Sequence, residues 1–152
     1  MPTDHQDSRG SGDPFNLGRF VAAQAALYAD VVDELSAGRK RTHWIWFIFP
    51  QCAGLGSSQM SRRFAIGSLD EARAYLAHPV LGPRLVACTT LVVQHAERSA
   101  EEIFGALDAR KFGSSMTLFA AVAGTDSAFA HAITTHCAGE RDAETLRLLG
   151  IL

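Results

Sequence analysis

The residues best suited to chemistry in this 152-residue chain are two serine-rich phrases, each opened by a glycine. They are Gly56-Ser57-Ser58 and Gly113-Ser114-Ser115. Glycine permits a tight turn, and the hydroxyl and backbone N–H groups at the start of a helix attract negative charge. If the two phrases meet, residues 54–58 and 111–115 predict one pocket for an anion such as a phosphate. Lys111 would then supply its fixed positive charge.

The same two phrases also have a purely structural interpretation. Serine is among the commonest N-cap residues, and a preceding glycine supplies the turn that leads into a helix. On either interpretation a helix begins at each phrase, so Ser114→Ala would remove a helix cap. The phosphate-binding P-loop pattern Gly-x-x-x-x-Gly-Lys is absent, so the anion pocket is predicted only from the convergence of the two phrases.

An aromatic stretch, residues 43–50, comes shortly before the first phrase and holds both tryptophans of the chain. Trp44 or Trp46 could stack on a flat ring such as a nucleobase, and Gln51 could pair with the edge of a base or an amide. His43 is the candidate for acid–base catalysis, because histidine changes charge near neutral pH. Each of these residues could equally be packed in the core, with the glutamine holding the turn after the proline.

Other catalytic signatures are absent from the sequence. It contains no Gly-x-Ser-x-Gly elbow, no His-Glu-x-x-His motif and no local cysteine–histidine signature around Cys52. His131 and His136 are five residues apart, which places them on different sides of a helix. We therefore expect no metal site and no cofactor, and the sequence leaves open whether the protein is an enzyme.

Helices must position these residues, because apolar side chains recur at steps of three and four along most of the chain. This spacing predicts one long helix over residues 15–37, ended by Gly38. Capping-box patterns at Ser68 and Ser99 predict two further helix starts, and residues 108–113 predict a loop. Asp142 should cap the last helix.

The pattern as a whole predicts an all-α fold, a compact multihelical single domain with a buried aromatic segment at residues 43–50. The helical domain should cover residues 14–152. Residues 1–13 are polar and rich in glycine and aspartate, which predicts a disordered tail.

Composition restricts the partners. Hydrophobic residues make up 47% of the chain, charged residues 20%, and the formal net charge is −2. This near-neutral charge speaks against nucleic acid as a partner, and no apolar run approaches the ~20 residues that span a membrane. Three widely spaced cysteines and the lack of an apolar leader suggest free thiols in the cytoplasm. We expect a monomer or a homodimer.

Several motifs resemble a family of small, mostly bacterial proteins known as domain of unknown function 1810, which is often mislabelled calpastatin. The motifs are His43-Trp44-Ile45-Trp46-Phe47-Ile48-Phe49-Pro50-Gln51, Gly54-Leu55-Gly56-Ser57-Ser58, Ala77-His78-Pro79-Val80-Leu81-Gly82 and Lys111-Phe112-Gly113-Ser114-Ser115-Met116-Thr117-Leu118-Phe119. They occur in the family's order between Phe15 and Leu148. The resemblance implies a compact multihelical domain and no particular activity, and the calpastatin label does not fit a chain without repeats.

Two hypotheses for the function follow. The first is a domain that binds a phosphorylated or nucleotide-like small molecule in a polar pocket beside the aromatic segment. The second is a non-enzymatic module for protein interaction or homo-oligomerisation. A binding site requires the polar residues to converge on one cleft, whereas a module would scatter them as helix caps.

Overall fold

The computed structural model describes residues 12–151, and ten helices lie entirely within them. They are α1 (Gly18–Ala25), α2 (Tyr28–Ser36), α3 (Ile45–Ile48), α4 (Gln59–Arg63), α5 (Leu69–Ala77), α6 (Leu81–Val93), α7 (Ala100–Phe104), α8 (Ala106–Ala123), α9 (Ala128–His136) and α10 (Ala143–Leu148). The described residues contain no strand, only one isolated parallel bridge between Cys52 and Ile66. The predicted all-α, compact single-domain fold is confirmed.

Side-chain caps begin several of these helices where the sequence predicts them. The hydroxyl of Ser68 accepts a hydrogen bond from the third residue of α5, and Ser99 forms the complete capping box of α7. The carboxylate of Asp142 caps α10 in the same way. Each cap satisfies a backbone N–H group that has no partner within its own helix.

The longest helix, α8, lies at the centre of the domain and contacts α3, α5, α7, α9 and α10. Its Phe112 stacks on Phe104 of α7 at 4.7 Å and meets Phe49 edge-on at 5.0 Å between ring centroids. All three rings are buried. Since each buried aromatic or aliphatic side chain contributes roughly 1.5–3 kcal/mol, this cluster fixes α8 against the aromatic segment.

The predicted single helix over residues 15–37 is wrong, because the chain turns at residues 26–27 and forms α1 and α2. The two halves pack on different partners, α1 on α3 and α2 on α6. Gln24, near the end of α1, donates from its buried amide to the carbonyl of Phe47 at 2.7 Å. Tertiary contacts therefore break a pattern that local propensity would allow to continue.

The predicted loop at residues 108–113 and the helix start at Gly113 are also wrong, because α8 runs through both. The hydroxyls of Ser114 and Thr117 donate to the carbonyls of Arg110 and Gly113, one turn earlier. Such bonds satisfy serine and threonine inside a helix. The buried anchors Phe112 and Phe119 hold the segment in place despite the glycine.

No single helix among the described residues is long and apolar enough to cross a membrane; α5 and α6 pass that test only as a pair, which is bent by 89°. The predicted disordered tail, residues 1–13, lies outside the described residues except for its last two positions. Cys52, Cys88 and Cys137 are free thiols.

Candidate functional site

A polar cleft of about 670 Å³ lies between the loop that follows the aromatic segment, one face of α8 and the start of α10. Its size is in the range of small-molecule sites, roughly 300–1,000 Å³. The lining residues are Trp46, Gln51, Leu55, Gly56, Ser57, Ser58, Ser61, Leu107, Arg110, Lys111, Ser114, Asp142 and Glu144. Most of them are polar or charged.

The first wall is the loop over residues 51–58. Two backbone hydrogen bonds of 2.8 Å close its base, from Ile66 to Gln51 and from Ala53 to Ile66. At the tip, a Cβ on Gly56 would lie only 2.4 Å from the hydroxyl of Ser61, so the position accepts no side chain without a shift. Ser58 then caps α4 through the backbone N–H of Ser61 at 3.1 Å. The loop is thus held at both ends.

The second wall is a stripe along α8. Leu107, Arg110, Lys111 and Ser114 are spaced i, i+3, i+4 and i+7, which places them on one face of the helix. The ammonium of Lys111 lies 3.6 Å from Asp108, whose other oxygen pairs with Lys40 at 2.7 Å. Arg110 and Lys111 are therefore two neighbouring cations that line the cleft together with the loop.

The third wall is the start of α10. The Asp142 carboxylate accepts hydrogen bonds from the N–H of Thr145 at 3.0 Å and the hydroxyl of Ser114 at 3.2 Å. It is thereby fixed as a cap against α8. Glu144 pairs with Arg147 one turn later, and that guanidinium lowers the pKa of the glutamate. The carboxylates of Asp142 and Glu144 thus line the same cleft as the two cations of α8.

Several polar groups in the cleft are not used by the fold. The side chains of Gln51, Ser57 and Arg110 make no hydrogen bond with the other residues that the structure describes. Within the same residues, the backbone N–H groups of the loop at 55–58 also have no acceptor. Unused donors and acceptors that converge on one concave surface are typical of a ligand site.

The structure brings seven of the ten candidate residues to this cleft. They are Trp46, Gln51, Gly56, Ser57, Ser58, Lys111 and Ser114. It does not bring His43, which is exposed just before α3 and does not line the cleft. Ser115 is buried on another side of α8.

Trp44 belongs to the core and not to the cleft. Its ring is fully buried, and its indole N–H donates to Glu34 at 3.0 Å. Trp46 is only partly buried, and its indole N–H meets no acceptor among the described residues. The two tryptophans therefore have different roles, one in the core and one in the cleft wall.

Sequence reasoning missed the cleft residues Arg110, Asp142 and Glu144. The signal for Arg110 is the α8 stripe, which becomes visible only when residues 106–123 are treated as one helix. Asp142 was recognised as a cap, but nothing in the sequence placed that cap beside the serine phrases. Glu144 carries no sequence signal of its own.

The prediction that Ser114 begins a helix is wrong, and this changes the expected effect of its removal. Ser114→Ala should lower the free energy of unfolding by about 1 kcal/mol, because it removes a part-buried hydroxyl whose one proton is shared between the Arg110 carbonyl and Asp142, and not a cap. Urea unfolding of the variant and of Asp142→Ala would check this. If the bond is real, the double variant should lose less than the sum of the two single losses.

Fold and cleft together define a small all-α domain with a charge-balanced polar site on its central helix. The chain belongs to the family described as "Protein of unknown function (DUF1810)", which matches residues 14–149, so the resemblance seen in the motifs is confirmed. The chain is also similar to the conserved hypothetical protein Rv1873 from Mycobacterium tuberculosis, whose crystal structure is solved at 1.38 Å. The two share 53% identity over 92% of this chain and 100% of the other, with a TM-score of 0.89. No curated protein matches the chain.

Proposed function

We propose that this protein binds a phosphate-bearing small molecule in the cleft between the loop at residues 51–58 and α8. The observation that carries the proposal is the placement of Arg110 and Lys111 opposite the loop that holds Ser57 and Ser58. A guanidinium and an ammonium beside the unused Ser57 hydroxyl and the unused backbone N–H donors of the loop form a favourable environment for a phosphate.

The anion would be held by side chains and by the loop, not by two helix ends. Ser114 and Ser115 lie inside α8, where the backbone N–H groups are used by the helix itself. The positive charge must therefore come from the two cations of the stripe. Arg110 is the stronger candidate for direct contact, because its guanidinium is exposed and has no ion-pair partner among the described residues.

The proposal is one of binding and names no reaction. The described lining of the cleft contains no histidine and no cysteine. Its carboxylates are engaged, Asp142 as a cap and Glu144 in an ion pair. The expected ligand-binding residues are the seven that line the cleft, together with Arg110.

The alternative, a module for protein interaction or self-association, has weaker support. The large apolar side chains that are exposed among the described residues are Val86, Leu107, Leu148 and Ile151. They belong to α6, to α8 and to the end of the chain from α10 onward, and scattered exposed apolar residues are normal for a folded protein. The converging polar groups favour the small-molecule hypothesis.

Ribose 5-phosphate should bind to the protein, and Arg110→Ala and Lys111→Ala should each weaken that binding about 10- to 100-fold. The reason is that a hydrogen bond to a charged group contributes about 1.5–3 kcal/mol. Isothermal titration calorimetry at low ionic strength would give the dissociation constants, with unphosphorylated ribose as the negative probe.

The matched control is Arg73→Ala, which removes the same charge from α5. The Arg73 side chain is 58% exposed and does not line the cleft. Its removal should leave the dissociation constant unchanged within about twofold. If Arg73→Ala weakens ribose 5-phosphate binding as much as Lys111→Ala does, the effect comes from the overall charge of the protein and not from the cleft. If the Arg110→Ala, Lys111→Ala double variant binds with undiminished affinity, the proposed site is wrong.

A further inference from the structure

The groups that could contact a ligand come from different sides of the cleft. Arg110 and Lys111 project from α8, whereas Trp46 lies on α3 and Gln51 begins the loop at residues 51–58. A ligand with only a phosphate would contact the α8 wall and leave Trp46 and Gln51 without a partner. The side of the cleft that holds Trp46 and Gln51 therefore indicates what the rest of the ligand should be.

Trp46 offers that ligand a flat surface. The ring is partly buried, lines the cleft and forms no aromatic pair with a ring of the described residues. The other tryptophan and the phenylalanines of the segment each pair with a buried aromatic ring, Trp44 with Phe49 at 6.3 Å and Phe47 with Phe64 at 5.4 Å between ring centroids. Trp46 packs against the core but lacks an aromatic partner among the described residues, and a tryptophan so placed in the lining of a polar cleft is suited to stack on a planar ring.

Gln51 offers the edge of that ring a matched pair of hydrogen bonds. Its side-chain amide has one acceptor and two donors, and none is used by another described residue. The Watson–Crick edge of each nucleobase places a donor beside an acceptor, so an amide can pair with it through two bonds. A saturated sugar or an aliphatic acid has no such planar edge.

The charges of the cleft limit the number of phosphates. Arg110 and Lys111 are the two cations among the lining residues, and the carboxylates of Asp142 and Glu144 line the same cleft. A phosphomonoester, with about two negative charges at neutral pH, can be met by the two cations. Each further phosphate would bring negative charge towards the carboxylates without a new cationic partner.

We infer that the ligand is a nucleoside monophosphate, with its base on Trp46 and Gln51 and its phosphate on Arg110 and Lys111. This inference rests on the proposed function, since it names the ligand class of the same site. Gln51 can pair with any base in one of its two amide orientations, so the inference concerns the class of ligand and not one base.

The test compares AMP with ribose 5-phosphate by isothermal titration calorimetry on the full chain. AMP should bind at least roughly tenfold more tightly, because the base adds stacking and paired hydrogen bonds. Trp46→Leu and Gln51→Ala should each lower the affinity for AMP about tenfold, and so remove most of its preference over ribose 5-phosphate. Trp46→Phe, which keeps a ring, should retain most of the affinity for AMP. A variant that fails to fold would lose affinity for both ligands, so a larger loss for AMP than for ribose 5-phosphate indicates contact with the base.

Two results would overturn the inference and leave the proposed function standing. The first is that AMP binds no more tightly than ribose 5-phosphate, while the binding of both ligands still depends on Arg110 and Lys111. The second is that ATP binds more tightly than AMP, which would exclude a nucleoside monophosphate as the preferred ligand. The absence of any binding by ribose 5-phosphate would instead overturn the proposed function, and this inference with it.

Discussion

Trp44→Ala should lower the free energy of unfolding by about 3–5 kcal/mol, whereas Trp46→Ala should cost roughly 1–2 kcal/mol. Trp44 is fully buried, and its ring packs against Phe49 at 6.3 Å. Its loss would leave a cavity and would also take one hydrogen-bond donor from Glu34. Trp46 is only partly buried, so its loss uncovers the cleft wall without opening the core.

Urea unfolding at neutral pH would measure both effects. Domains of this size commonly have about 5–15 kcal/mol of stability, so Trp44→Ala should remove a large share of it. Trp44→Phe is a useful intermediate, because it keeps an aromatic ring and removes only the N–H donor and part of the volume. A loss from Trp46→Ala as large as that from Trp44→Ala would contradict the assignment of the two rings.

The fold class could be predicted because its signals are local. Each cap requires only a serine or an aspartate and a helix behind it, and Ser68, Ser99 and Asp142 meet that requirement. For the aromatic segment the sequence predicts burial, and the structure adds that Ile45–Ile48 forms a short helix there. Predictions of this kind depend on neighbouring residues and on the burial of apolar side chains, which composition alone makes necessary.

The helix boundaries that failed depend on contacts distant in sequence. The break between α1 and α2 is not marked by glycine or proline; it follows from the different partners of the two halves. Conversely, Gly113 suggests a break, yet it lies inside α8, where an added Cβ would be 3.7 Å from the sulfur of Cys137. A glycine in a helix costs only about 1 kcal/mol, which the burial of Phe112 and Phe119 readily outweighs.

The candidate site was predicted in part, and for a reason that does not hold. Residues 55–58 and Lys111 do line one cleft, but the expected convergence of two helix starts is absent, because Ser114 lies in mid-helix. What brings them together is the face of α8 that begins at Leu107. The titration range of histidine suggests His43 from the sequence, yet that residue is exposed and does not line the cleft.

A buried glutamate holds the aromatic segment to α2. One Glu34 oxygen accepts the backbone N–H of Arg41 at 2.6 Å and the indole N–H of Trp44 at 3.0 Å. The other accepts the hydroxyl of Thr42 at 2.6 Å. Burial opposes the charge of Glu34, but these bonds, with a further one from the Thr42 backbone, outweigh it and lower its pKa to about 2. The network fixes the start of the segment that carries Trp46, a residue of the cleft lining.

Because the pKa of Glu34 is lowered in the folded protein, the free energy of unfolding depends on pH. The folded protein holds Glu34 as a carboxylate down to a pH of about 2, whereas the unfolded chain takes up the proton near its ordinary pKa of 4.5. Because the unfolded state binds more protons in this interval, the stabilisation is complete above about pH 5 and is lost as the pH falls towards 2. A difference of this size corresponds to about 3 kcal/mol, of which roughly 2 kcal/mol should be lost by pH 3.

Glu34→Gln isolates this contribution, because glutamine keeps the shape and most of the hydrogen bonds and removes the charge. Its carbonyl can accept from Trp44 and from the backbone, and its amide can donate to the hydroxyl of Thr42. We expect wild type to exceed the variant in stability by about 2–3 kcal/mol at pH 6, and the difference to shrink by most of that amount at pH 3. Urea unfolding of both proteins across this range measures the difference, in which the titration of every other carboxyl group cancels. A difference that stays constant from pH 6 to pH 3 would show that Glu34 titrates normally and that its buried bonds do not hold the charge.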